Sequence, residues 1–318
     1  MTSPLGRLTM ILVTGGLGFI GSHTAKALHD LGQSCVLTRH RHGDLPSYPE
    51  PVAVEQVDLT DTAAVLALGQ WHQITGIVHL AAPTHDQLSV ADELEAGVRI
   101  LCNVLRAAQA WSVRRVTVAS TIGMYAGAHG NPLREDMPLP VATPHPIPAA
   151  KKAAESFGAL IAAAGGFEVA YARIGAIWGP LGRPESPFFA APRLIHAAVA
   201  GEPPDFTPPR AVLHANDGID MLYAKDCGRA LAVLQTAERL NHQVYNVGSG
   251  TATTNREVAA AVMQAVPEAD VTMPEGRTSE ALYLDTTRLR NDTGFEPAWD
   301  LTAAVRDYLT WLRAGNAR

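Results

Sequence analysis

Met10-Ile-Leu-Val-Thr-Gly-Gly-Leu-Gly-Phe-Ile-Gly21 starts as a short apolar run and breaks into four glycines, Gly15, Gly16, Gly18 and Gly21, while a helical pattern takes over from Phe19 to Leu31. Strand, glycine turn, helix is the opening of a βα unit. Working outward, Ser34 to Thr38, Val52 to Val57, Gly76 to Leu80 and Val113 to Ala119 read as further strands, with helices near Thr62 to Leu68 and Ala91 to Trp111. A helix from Ala149 to Ala164 and a strand from Glu168 to Ile174 continue the series. Strands alternating with helices at this spacing predict right-handed crossovers and an α/β fold with a doubly wound parallel sheet. Beyond it, the prolines from Pro180 to Pro209 predict ordered loop excursions rather than a flexible linker.

The chain has 318 residues, 47% hydrophobic and 18% charged, with a formal net charge of -6. That balance predicts a folded globular protein and gives no basic footprint for nucleic acid or an anionic membrane. No apolar run is long enough to span a bilayer. The segment Met1 to Thr9 lacks the pattern of a secretory signal. Cys35, Cys102 and Cys227 are odd in number and widely spaced, which predicts buried thiols in a reducing, cytoplasmic setting and no metal site.

Gly15, Gly18 and Gly21 form G-x-x-G-x-x-G directly after a strand. Glycine is required there because a side chain would keep the backbone from a pyrophosphate, whose charge is met by amide N–H groups and the helix dipole. The reading is a Rossmann-type dinucleotide site in which Gly15, Gly18, Phe19, Ile20 and Gly21 face the phosphates. An acidic residue about 20 positions on binds the ribose of NAD in such sites. Here Arg39 stands there, beside His40 and Arg41, so NADP is favoured and NAD is the alternative. Asp58 is placed to accept from an adenine amino group, with Leu59 lining the pocket, and Leu80, Ala81 and Ala82 supply small side chains where backbone approaches the cofactor. His79 before them reads as a packed histidine, and His85 and Asp86 as loop residues.

The chain resembles the extended short-chain dehydrogenase/reductase family of nucleotide-sugar epimerases, dehydratases and reductases, over nearly its whole length. The resemblance rests on Thr14 to His23, Asp58, His79 to Ala82, Ser120-Thr121 with Met124-Tyr125, Ile177-Trp-Gly-Pro180, Tyr245-Asn-Val-Gly-Ser-Gly250, and Leu284-Asp285 with Arg288, in that order. It implies a dinucleotide-binding domain over residues 1–172, completed by segments near 213–247, and a smaller substrate domain over 173–318. It also implies a homodimer through the helices Ala91 to Trp111 and Ala149 to Ala164, and a small-molecule substrate.

The resemblance implies a mechanism in which the tyrosine of Y-x-x-x-K moves a hydroxyl proton while nicotinamide gives or takes a hydride. Thr121 fits the serine/threonine that polarises the same oxygen. Lys151 fits the lysine, which also reaches the nicotinamide ribose. Four positions before Lys151 stands Ile147, however, and shifting the register to Lys152 puts Pro148 there. The family's asparagine position holds Gly97. Three readings follow: another residue supplies the acid/base, the reaction needs none there, or the protein is a non-catalytic NAD(P)-binding regulator or sensor. Tyr125 and His145 are the candidate replacements. Arg210 and Arg277 lie where the family contacts the nucleotide diphosphate, and arginine's planar fork suits phosphate.

Overall fold

The computed structural model describes residues 9–39, 52–83, 88–143, 145–278 and 280–318. His40, Arg41, His85 and Asp86 lie outside the described residues. In chain order the first part is β1 (Thr9–Thr14), α1 (Phe19–Asp30), β2 (Ser34–Arg39), β3 (Val52–Gln56), α2 (Thr62–Trp71), β4 (Gln73–His79), α3 (Val90–Ala110), β5 (Arg115–Thr121), a 3-10 turn (Ile122–Tyr125), α4 (Pro146–Gly165) and β6 (Glu168–Ile174). There follow β7 (Ala176–Trp178), α5 (Ala191–Ala200), β8 (Gly218–Tyr223), α6 (Ala224–Thr236), β9 (Val244–Val247), β10 (Ala252–Thr254), α7 (Asn255–Ala265), α8 (Thr287–Thr293) and α9 (Leu301–Arg313).

Seven strands form one sheet in the order β3-β2-β1-β4-β5-β6-β9, and the pairs from β3 through β5 run parallel. The order reverses direction at β1 and β4, the switch point where such sheets hold ligands. Both faces are covered, as the apolar strand sequences require. Leu12 joins the core of Ile77, Val104, Leu105 and Val116 on one face, while its neighbours Ile11 and Val13 join Leu28, Leu37 and Ala232 on the other.

The chain divides into two compact units, the first made of Met1–Ala128, Pro138–Arg173 and Gly228–Tyr245. The second comprises His129–Met137, Ile174–Cys227 and Asn246–Arg318. Its core gathers Trp178, Leu194, Ile195, Val258, Val262, Tyr308 and Leu309 around the three-stranded sheet β10-β8-β7. Within it, buried Asp220 accepts from Ser249, Gly250 and Leu284, tying the Asn-Val-Gly-Ser-Gly turn to the segment after it. No helix among the described residues is long and apolar enough to cross a membrane.

Helix α4 begins three residues earlier than its apolar pattern predicts. Pro146 and Pro148 sit in its first turn, where a missing N–H costs nothing. Ile147 between them has the amide donor of that first turn that needs a partner, and His145 Nδ1 accepts from it at 3.3 Å as the N-cap.

Candidate active site

The glycine turn closes on itself at the C-terminal end of β1. Gly15 adopts φ +67°, its carbonyl accepts from Gly18 N–H at 2.9 Å, and its own N–H donates to Thr38 Oγ1 at 3.1 Å. A methyl on Gly21 would lie 2.2 Å from the Gly15 carbonyl oxygen, so the helix can enter this closely only with glycine there. Gly18, the N-cap of α1, offers no side-chain oxygen to the first-turn amides of the helix. Unsatisfied first-turn amides of this kind are where a helix can bind an anion.

Beside this turn lies a cavity of about 520 Å³. Gly15, Leu17 and Gly18 line one part of it, and Arg39, Asp58 and Leu59 another. Leu80, Ala81 and Ala82 form a further wall. The turn, the small residues and the volume fit a dinucleotide. Buried Asn103 of α3 donates to the Leu59 and Thr60 carbonyls at 3.0 and 3.1 Å, holding the loop of Asp58. One Asp58 carboxylate oxygen accepts from the Thr60 N–H and hydroxyl.

At the end of β4 His79 is buried, with Nδ1 2.7 Å from Thr14 Oγ1. That hydroxyl already accepts from the Leu80 and Ala81 amides, so its one proton goes to the ring nitrogen. Burial and then the charge of Lys151 push the imidazole down to about 3, so it stays neutral. Lys151 is half-buried on α4 and makes no hydrogen bond or ion pair with any described residue. Burial lowers its ammonium to about 8, against the opposing pull of Glu155.

Thr121 caps the 3-10 turn, its Oγ1 accepting from Gly123 N–H at 3.1 Å. A methyl placed on Gly123 would lie 2.9 Å from Pro148 and 3.5 Å from Thr121 Oγ1. The first turn of α4 therefore packs beside Thr121. Four polar groups, all but Glu155 buried, secure this packing: Ser120 Oγ donates to Glu155 at 2.6 Å, Glu155 takes Arg173 in two bonds of 2.7 and 3.1 Å, and Arg173 donates to the Tyr125 hydroxyl at 3.0 Å. The sequence reading missed Glu155 and Arg173 as a pair.

Tyr125 is thus a buried ring under the Arg173 guanidinium, its hydroxyl committed to that group. His145 is exposed, and its Nδ1 is committed to the helix cap. Ile147, half-buried, stands one helical turn before Lys151 on the same face of α4. Gly97 of α3 meets only Pro83, at 3.8 Å, when a methyl is built on it. With that room, Gly97→Ala is expected to raise stability by about 0.8–1 kcal/mol in urea unfolding; a loss would mean that the position needs glycine for a reason other than space.

In the second unit, Arg210 is exposed and held between Glu185 and Asp205 at 2.9 and 2.5 Å. Arg277 is exposed and makes no hydrogen bond or ion pair with a described residue. Sequence reasoning passed over Arg193, which is buried, stacked on Phe206 and bonded to the Asp205 and Ala211 carbonyls. Its place inside α5, a helix hidden among the prolines, gave no periodic signal. Cys35 and Cys227 are buried and all three cysteines are unbridged. No group of three His, Cys, Asp or Glu among the described residues is arranged to hold a metal ion.

The model of the NAD dependent epimerase/dehydratase family matches residues 11–248. The chain belongs to that family. It is an enzyme of the extended short-chain dehydrogenase/reductase type. Among curated relatives, a dTDP-glucose 4,6-dehydratase of Streptomyces griseus is 27% identical over 331 residues, spanning 95% of this chain and 94% of its own. A UDP-glucose 4-epimerase of Azospirillum brasilense is 26% identical over 340 residues, spanning 99% and 95%. The crystal structure of a Thermus thermophilus UDP-glucose 4-epimerase in complex with NAD is 26% identical, with a TM-score of 0.77 over 96% of this chain and 99% of that one.

Proposed function

We propose that this enzyme oxidises or reduces a nucleotide-sugar substrate at a carbonyl or secondary hydroxyl, with an acid/base other than a tyrosine at position 147. The observation that carries the reading is the glycine-lined cavity at the switch point of the sheet, with Thr121 and Lys151 retained on the elements that follow it. The relatives that act on dTDP- and UDP-sugars support the substrate class. Bound NAD or NADP supplies the hydride acceptor. The amides of Gly18, Phe19 and Ile20 and the α1 dipole neutralise its pyrophosphate. Asp58 and Leu59 take the adenine, Ala81 and Ala82 let the backbone approach, and Lys151 binds the nicotinamide ribose. Thr121 donates to the reacting oxygen of the substrate. Arg277 is the fork open to the substrate's diphosphate, whereas Arg210 binds it only by exchanging Glu185 and Asp205. The protein acts in the cytoplasm as a homodimer through α3 and α4, whose exposed Val98 and Leu160 support that assembly.

Arg39 at the cavity wall favours the 2′-phosphate of NADP, with NAD accepted as the Thermus relative accepts it. Calorimetric titration with NADPH and NADH is expected to show that Arg39→Asp weakens NADPH about tenfold or more, equivalent to about 1.4 kcal/mol, and leaves NADH within a few-fold. Equal losses for both would remove the preference. No heat with either cofactor would overturn the function.

A further inference from the structure

The missing tyrosine leaves the substrate proton without a carrier, and the geometry narrows the replacements. Tyr125 is buried and its hydroxyl is already held by the Arg173 guanidinium. A phenol there reaches a substrate only if the Arg173 and Glu155 network comes apart. His145 faces solvent, and its Nδ1 holds the Ile147 amide at the helix start. Lys151 differs from both. It follows Ile147 by one helical turn on the same face, no described residue bonds its amine, and α4 is pinned beside Thr121 through Ser120 and Glu155.

We propose, on the strength of that functional reading, that Lys151 is itself the acid/base, its neutral amine taking the proton of a sugar hydroxyl that Thr121 orients. The substrate O–H bond breaks and an N–H bond forms at Nζ. The C–H electron pair leaves with its hydrogen as the hydride accepted by bound NAD(P), and a carbonyl results. The reverse direction returns the proton from the ammonium. Atoms and electrons balance with the dinucleotide as the two-electron partner.

The surroundings suit the role. His79 at the end of β4 is neutral and adds no charge. On β6 Arg173 is engaged by Glu155, and the 3-10 turn brings Tyr125, which Arg173 holds. Glu155, on α4 itself, is the charge that bears most on the amine, and it keeps the ammonium from falling further. An amine near 8 is protonated and unprotonated in comparable amounts at working pH, as a general acid/base requires.

The experiment has two arms on the full-length enzyme. Trace acetylation of the protein without cofactor, read peptide by peptide by mass spectrometry from pH 6 to 11, is expected to give Lys151 half-maximal reactivity near pH 8, well below ordinary lysine. A midpoint above 10 overturns the proposal. In the second arm conversion of UDP-glucose and of dTDP-glucose, each with bound NAD or NADP, is followed by chromatography of the sugar nucleotides. Wild-type kcat/KM should rise through an apparent pKa near 8, and Lys151→Arg should lose at least 100-fold and the limb with it. In Lys151→Ala, added primary amines should restore rate according to their basicity. A limb that survives Lys151→Arg, or that vanishes in Tyr125→Phe or His145→Asn, overturns the proposal alone. No conversion of either sugar nucleotide by the wild type, with the cofactor bound in the calorimeter, overturns the functional reading and this proposal together.

Discussion

Glu155→Ala is expected to lower the stability of the dinucleotide-binding unit by about 3–5 kcal/mol, the cost of breaking a buried ion pair from one side. Arg173 is 4% exposed on β6 and its guanidinium has two bonds to Glu155. Burial opposes its charge, and Glu155 with Tyr125 more than offsets that opposition. Without the carboxylate a buried cation stands against the Tyr125 ring, and Ser120 loses its acceptor. Glu155→Gln keeps acceptor and donor atoms but no charge, so its loss should be smaller. Glu155→Gln with Arg173→Met removes both charges and should recover most of the stability, because neither partner is left orphaned. Urea unfolding followed by circular dichroism measures all three; a loss under 1 kcal/mol for Glu155→Ala would mean that water enters to solvate Arg173. Glu155 also raises the Lys151 ammonium, so in Glu155→Gln the Lys151 amine should titrate below its wild-type midpoint.

The part of the site that could be read from the sequence is the part fixed by local constraint. Gly15 needs a left-handed φ and Gly21 leaves no room for a methyl, so the glycines announce the turn without knowledge of the rest. Strand ends moved by one to three residues, because pairing with neighbours decides where a strand stops. β4, for instance, begins at Gln73, where it pairs with Thr9, three residues before its apolar run. The hydrogen-bond partners of Tyr125 and His145 were not legible, since each depends on a group far away or on the exact start of a helix. Arg173 carried a readable signal: in Glu-Val-Ala-Tyr-Ala-Arg-Ile it is a charge near the end of a strand buried from Val169 onward, and such a charge demands a partner. Which acid answers it, Glu155, required the fold.

Lys151→Met should lower turnover by at least 100-fold and yet make the protein more stable at neutral pH. The folded state holds this ammonium at about 8, against an ordinary value of 10.5, because burial penalises its charge. Below pH 8 both folded and unfolded chains carry the proton, so the folded state bears the full penalty. Between 8 and 10.5 the unfolded chain keeps more protons than the folded one, and stability therefore rises with pH. Above 10.5 both are neutral and the penalty is gone. The shift corresponds to about 3 kcal/mol at most, and partial exposure reduces it to on the order of 1–3 kcal/mol. Methionine fills a similar volume without a charge, so the variant should gain that amount at pH 7. The difference between variant and wild type should close as pH rises from 8 to 10.5, which isolates Lys151 from every other group that titrates there. Urea midpoints at pH 7, 8.5 and 10 give the comparison. A variant less stable than wild type at pH 7, or a difference flat in pH, would mean that the amine has a partner in the folded protein, and a partnered ammonium would not be open to a substrate proton. A lysine that costs stability one helical turn after Ile147 is what a functional constraint on Lys151 alone looks like in energetic terms.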